Sequence, residues 1–168
     1  VTYADGSDFC PPYTIIQREI LCSDGVSRPL NLGVIGLATP QIVNWDKTVL
    51  SGAIVVNDIV LTAQAVVAKM KAQGANIDVA LCHAGIAAEQ WSEGMENAAV
   101  PLAAIDGIDA VLTGHTHDLF SNNNDQASAN VGSSNGKLHG KPAVMAGFYG
   151  PHVGVISLDI TWSEGNIA

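Results

Sequence analysis

The sequence of 168 residues predicts an α/β fold in which a sheet is covered by helices. Three features carry that prediction. Residues 76–82, "NIDVALC", and 108–114, "IDAVLTG", are brief runs of nearly unbroken apolarity, as strands buried on both faces require. Helical sequence separates them, the alternation that sets neighbouring strands beneath a helical layer. Nearer the amino terminus, two apolar runs flank a turn signal.

Those two runs, "TIIQREIL" and "LNLGVIGL", enclose "CSDGVSRP", whose Asp24-Gly25 favours chain reversal, so residues 14–37 read as a hairpin. "PQIVNWDK" reads as a loop, and "GAIVVND" as a short strand or the entry to a helix. That helix has Asn57 as its expected cap, an apolar face of Ile59, Ala63, Val66, Val67 and Met70, and Gly74 at a left-handed stop. Strand 76–82 then ends at His83. A second helix is expected over "MENAAVPLAAI", and strand 108–114 ends at His115. "SNNNDQASANVGSSNGK", residues 121–137, is polar and low in complexity, and reads as a mobile surface loop. "PAVMAG" and "HVGVISLDITW" read as two further strands. No internal repeat is visible, and the length suits one globular unit.

Composition narrows the function. Apolar residues make up 48% of the chain, but no run approaches the roughly 20 residues of a membrane-spanning helix. Seven cations against sixteen anions give a net charge of −9, which repels a nucleic-acid backbone and argues against a polymeric nucleic-acid partner. Small phosphate esters stay accessible to such a protein if bound divalent ions supply local positive charge. Of three cysteines, Cys10 and Cys22 could pair in an oxidising compartment, while Cys82 reads as a buried thiol. There is no Walker loop, GxSxG, HExxH or CxxC.

The histidines concentrate the chemistry. His83 and His115 each follow a strand, where open sheets of this kind bind ligands. His117 stands two residues beyond His115, so in extended chain both would project to one side. Three neutral imidazoles suit a borderline ion such as zinc, manganese, cobalt or iron, and Gly85 and Gly114 would let backbone approach. The bland alternative is a set of hydrogen-bonded structural histidines at the mouth of a non-catalytic α/β binding module. His139 reads as solvent-exposed, and His152 has no partner at ligand spacing. Glu96 and Asn97 could cap a helix or face the histidines. Asp118 could orient an imidazole or serve a turn. Trp45, Phe148 and Tyr149 could stack a base or simply pack.

"CHAG" and "GHTH" resemble motifs of the calcineurin-like metallophosphoesterases, in their 5'-nucleotidase branch. "PQIVNWDK", "VNDIVLTAQ", "MENAAVPLAAIDGIDAVLTGHTH" and "KPAVMAGFYGPHVGVISLDI" extend the resemblance from Tyr13 to Ile160. They are most similar to the bacterial periplasmic members that hydrolyse 2',3'-cyclic nucleotides and 3'-nucleotides. The resemblance implies part of a four-layered αββα sandwich with mixed sheets and two divalent metal ions (Mn, Zn, Co or Fe). It implies a nucleotide or cyclic-nucleotide substrate and a periplasmic location. His83 and His115 would bind the second ion and His117 the first, with Asn97 and Asp118 on the substrate side or behind the ligands. Cys82 stands where serine is usual. Relatives that act on 5'-nucleotides, UDP-sugars or a thiosulfate-bearing cofactor share the fold and form the enzymatic alternative. The family's DxH, GDxx and GNHE segments, which bring the bridging Asp and the catalytic His, do not occur before His83. The expectation is therefore residues 1–168 as the carboxyl-terminal half of a catalytic domain, inactive alone and prone to self-association.

Overall fold

The computed structural model describes residues 1–121, 128, 130–132, 135–163 and 166–167. In chain order the strands and helices are β1 (Thr2–Tyr3), β2 (Tyr13–Leu21), β3 (Ser27–Ala38), α1 (Ile42–Trp45), α2 (Lys47–Leu50), β4 (Ile54–Val55), α3 (Ile59–Ala72) and β5 (Ile77–His83). There follow α4 (Ala99–Ala103), β6 (Ala110–Thr113), β7 (Leu119–Phe120), β8 (Val131–Gly132), β9 (Lys137–Leu138), β10 (Lys141–Ala146), β11 (Trp162–Ser163) and β12 (Asn166–Ile167). The main sheet runs β2-β3-β5-β6-β10-β9-β8, with β7 also on β10. It is mixed: β3, β5, β6 and β10 are parallel, while β2 joins β3, and β7 and β9 join β10, antiparallel.

Alternation along β5 defines the layers. Asp78, Ala80 and Cys82 are buried beneath the helices, beside Gly33, Ile35 and Leu37 of β3. Val79, Leu81 and His83 face the other way, and Leu81 is 44% exposed, as is Leu112 of β6 at 38%. The core therefore lies between the sheet and α3–α4, where Val66, Val67, Met70, Val100 and Leu102 meet Ile35, Ala80 and Val111. On the opposite face Gly154 lies against β10, where a Cβ would stand 2.5 Å from Val144 Cγ2, and residues 158–162 share a pocket with residues 20–24 and Arg28 of the β2–β3 hairpin.

The expected 14–37 hairpin forms, pairing Tyr13 with Ile35 at one end and Leu21 with Ser27 at the other, with Gly25 left-handed at the turn. All five apolar positions predicted for α3 are buried, and Gly74 is left-handed at φ +87°. Its cap is Asp58 rather than Asn57. Asp58 Oδ1 accepts from Leu61 N–H at 2.9 Å, while Oδ2 accepts from Gly94 N–H at 2.7 Å and from the Trp91 indole at 3.4 Å. One carboxylate thus seals the helix and anchors the 91–94 segment. Asp58→Ala is expected to destabilise the fold by about 1–2 kcal/mol, read as a lower midpoint in denaturant titration.

Four expectations change. "PQIVNWDK" is two single-turn helices, not a loop. The helix expected over 95–105 shortens to Ala99–Ala103, because the side chains of Glu96 and Asn97 are held at the strand ends and keep the preceding backbone out of the helix. "HVGVISLDITW" makes no strand pairing with the described residues before Trp162–Ser163, which pairs with Asn166–Ile167. The 121–137 segment contains β8 and the start of β9, pinned because Val131 and Leu138 are buried in the core. The loop expected there otherwise falls on 122–127, 129, 133 and 134, outside the described residues.

Cys10 and Cys22 are unpaired. They flank opposite ends of the nine-residue β2, which holds them about 30 Å apart along the strand, far beyond disulfide reach.

Candidate metal centre

His83 is the last residue of β5, paired opposite Ala38 of β3, and its carbonyl accepts from Thr39 N–H at 3.3 Å. His115 and His117 follow β6 in a tight turn. That turn is not extended chain: both residues are left-handed, at φ 78° and 64°. The two-residue spacing therefore places them by a different route from the alternation expected of a strand. For residues with a Cβ this conformation costs of order 1–2 kcal/mol each, so the turn holds the rings at some expense of stability. His117→Gly is expected to be about 1 kcal/mol more stable than His117→Ala, since both lose the ring and only glycine escapes the strain. Thermal unfolding of the pair checks this.

Gly85 explains how the two strand ends come together. A Cβ there would stand 2.3 Å from Thr116 Cγ2 and 2.7 Å from Asn97 Oδ1, so only glycine admits the GHTH turn this closely. Asn97 Oδ1 accepts from Gly85 N–H at 2.9 Å, and Thr113 Oγ1 donates to Ala84 O. Gly114 N–H reaches the same carbonyl at 3.4 Å. These bonds lock the CHAG segment to GHTH.

The locked turns bring His83 and His115 together edge to face, with ring centroids 5.3 Å apart and planes at 61°. Burial pushes the His83 imidazole below its ordinary pKa, and the nearby rings of His115 and His117 add to the effect. His83 is therefore biased toward the neutral form that a metal ion requires. His115 is enclosed on two further sides. Glu96 Oε1 lies 2.7 Å from its Nε2, and Trp45 stacks on it at 5.1 Å and 14°. His117 instead stacks on Phe148 at 5.0 Å and 21°, and Phe148 in turn meets Tyr149 at 4.7 Å.

The structure thus brings His83 and His115 into contact, with His117 within electrostatic reach. Imidazole nitrogens are suitable donors for a borderline divalent ion. They form a partial set: among the described residues, no group of three His, Cys, Asp or Glu side chains could hold an ion by itself. Cys82 contributes nothing, since it points to the helical side and burial pushes its thiol up to about 12. A cavity of about 690 Å³ lies elsewhere, among Phe9, Pro12, Leu37, Ile42, Leu50 and Val66, with no histidine in its lining. His83 and His117 are exposed and His115 is half-buried.

The remaining candidates separate clearly. Asn97 ties the CHAG turn in place through the Gly85 N–H. The Asp118 carboxylate makes no hydrogen bond to an imidazole among the described residues, and its carbonyl accepts from Gly147 N–H at 3.0 Å. His139 is half-buried rather than exposed, with Nε2 lacking a partner among the described residues. His152 is exposed. Glu96 takes the second of the two roles open to it in the sequence and faces His115. The Trp45 stack was not anticipated, because Trp45 is remote from His115 in sequence and no spacing rule joins residues so far apart.

No family model matches the chain. The crystal structure of the calcineurin-like phosphoesterase YfkN from Bacillus subtilis superposes with a TM-score of 0.93 at 36% identity, over 99% of this chain and 50% of that one. The chain belongs to the calcineurin-like phosphoesterases. A 2',3'-cyclic-nucleotide 2'-phosphodiesterase/3'-nucleotidase of Haemophilus influenzae is 42% identical over 154 residues, 92% of this chain. Its namesake in Salmonella typhimurium is 37% identical over the same length. The chain spans 23% and 24% of those two relatives. Within the phosphoesterase fold it supplies a mixed sheet and the helical layer over one face, with the imidazoles at the carboxyl ends of β5 and β6.

Proposed function

We propose that this chain is the histidine-bearing part of a two-metal phosphoesterase acting on 2',3'-cyclic nucleotides and 3'-nucleotides. The observation that carries the reading is the packing of His83 against His115 at two neighbouring strand ends, within a chain 42% identical to an enzyme named for that activity. His83 and His115 would hold one divalent ion and His117 would help to hold a second, drawn from manganese, zinc, cobalt or iron. When bound, the ions would supply the positive charge that attracts a phosphate ester and stabilises charge developing on it. That local charge resolves the conflict between an anionic substrate and a protein of net charge −9.

The chain's own groups position. β5 and β6 fix the two turns, Gly85 and Asn97 lock one to the other, and the left-handed backbone sets the direction of His115 and His117. Residues 1–168 are read as the carboxyl-terminal half of a catalytic domain, inactive without a bridging carboxylate and a catalytic His from another segment. No helix among the described residues is long and apolar enough to cross a membrane, and a periplasmic location rests on the resemblance alone. In the full-length protein His83→Ala and His115→Ala are each expected to lower zinc or manganese content, whereas purely structural histidines would change stability and leave metal content alone.

The sheet face carrying Leu81 and Leu112 is read as the one against which a second sheet packs. Left bare, it favours self-association. Light scattering is expected to show concentration-dependent oligomers that Leu81→Lys with Leu112→Lys disperses, and a clean monomer at high concentration would contradict this.

A further inference from the structure

The His115 ring is held more closely than either of the other two imidazoles. Its Nε2 stands 2.7 Å from Glu96 Oε1, and the indole of Trp45 covers one face at 5.1 Å. His83 closes a third side, edge to face. The His115 side chain is 17% exposed, while that of Glu96 is 40% exposed, so the carboxylate reaches in from the rim. A neutral imidazole has one N–H and one lone pair, and a carboxylate can only accept. Contact with Glu96 therefore places the proton on Nε2 and the lone pair on Nδ1. Flat stacking against Trp45 resists rotation of the ring out of that position.

We propose that Glu96 is a positioning residue, whose carboxylate holds the Nε2–H of His115 so that Nδ1 is the nitrogen offered to a divalent metal ion. This rests on the metal reading above and adds to it a specific donor atom and the group that selects it. A carboxylate behind an imidazole ligand fixes its tautomer and ring direction and makes the facing nitrogen more basic, and loss of such a partner typically costs metal affinity about 10–100-fold. Glu96 lies in the segment whose helix was shortened, and its contact with His115 gives that irregular backbone a role. The Asp118 carboxylate, nearer in sequence, does not fill this place.

The test has two readouts. In the metal-free protein at about pH 8.5, above the ordinary imidazole range, long-range proton–nitrogen NMR is expected to show His115 as the Nε2–H tautomer. Glu96→Ala is expected to turn it into a mixture, while Glu96→Gln, whose amide oxygen still accepts, keeps it. Zinc or manganese affinity is expected to fall about 10–100-fold in Glu96→Ala and to recover to within about tenfold of wild type in Glu96→Gln. An Nδ1–H tautomer in the wild type, or one unmoved by Glu96→Ala, overturns the proposal and leaves the metal reading standing. Equal loss of affinity in the Gln and Ala variants overturns it too, because the carboxylate would then be a ligand itself. If His115→Ala leaves metal uptake untouched, the metal reading fails, and the proposal falls with it whatever the tautomer.

Discussion

Replacing Lys71 with Met is expected to destabilise the fold by about 2–3 kcal/mol at neutral pH, less than the roughly 3–5 kcal/mol of a fully buried pair because Lys71 is 37% exposed. Asp78 is the reason. Its side chain is fully buried under Gly33, where a Cβ would stand 2.1 Å from Asp78 Oδ1, and Lys71 Nζ approaches Oδ2 at 3.3 Å. The same ammonium lies 3.6 Å from Asp109 and donates to Asn76 O at 3.4 Å, so one side chain joins α3 to β5 and to the entry of β6. Burial nevertheless pushes the Asp78 carboxyl above its ordinary 3.8, with Lys71 opposing the rise. A raised folded pKa means the folded chain binds the proton more tightly than the unfolded one. The resulting stabilisation is complete below 3.8 and is lost as pH rises through the raised value. Wild type is therefore expected to gain stability relative to Asp78→Asn on acidification. The cost of Lys71→Met should shrink over the same window. Denaturant titrations at a series of pH values check both, and a Lys71→Met penalty that does not vary with pH would contradict the account.

The second large effect is expected at Gly85. Gly85→Ala forces a methyl group into space held by Thr116 and Asn97, at 2.3 and 2.7 Å. Overpacking of this kind costs about 1–3 kcal/mol. The clash has little room to relax on the GHTH side, because Thr116 Oγ1 is engaged with Met145 Sδ at 3.5 Å and Thr113 with Ala84 O. The movement should open the contact between His83 and His115. Metal affinity is therefore expected to fall as well, which a variant that only loosens the core would not do. Measured together, unfolding free energy and metal content distinguish these cases. A Gly85→Ala protein with native stability and full metal content would show that the close approach is unimportant.

Much of the fold was legible because its signals are local. Apolar periodicity located α3 and β5, and the hairpin announced itself through Asp24-Gly25, where Asp24 Oδ1 accepts from Val26 N–H and the Arg28 guanidinium closes a bidentate pair on the same carboxylate. What failed depended on distant partners. Residues 95–98 have the composition of a helix, yet Glu96 and Asn97 are drawn to β5 and the GHTH turn. Residues 152–161 have the alternation of a strand but no ladder partner among the described residues. At the site, CHAG and GHTH gave the three histidines directly. Their orientation was not legible, because it depends on left-handed backbone at His115 and His117 and on Trp45 and Glu96, which are remote in sequence.

Metal analysis of the protein with and without His115 tests the central claim most directly. Prepared in zinc or manganese as the full-length protein, which would bring the remaining ligands, the wild type is expected to retain divalent ions, and His115→Ala to hold fewer of them while remaining folded. Equal metal content in the two proteins would contradict the account.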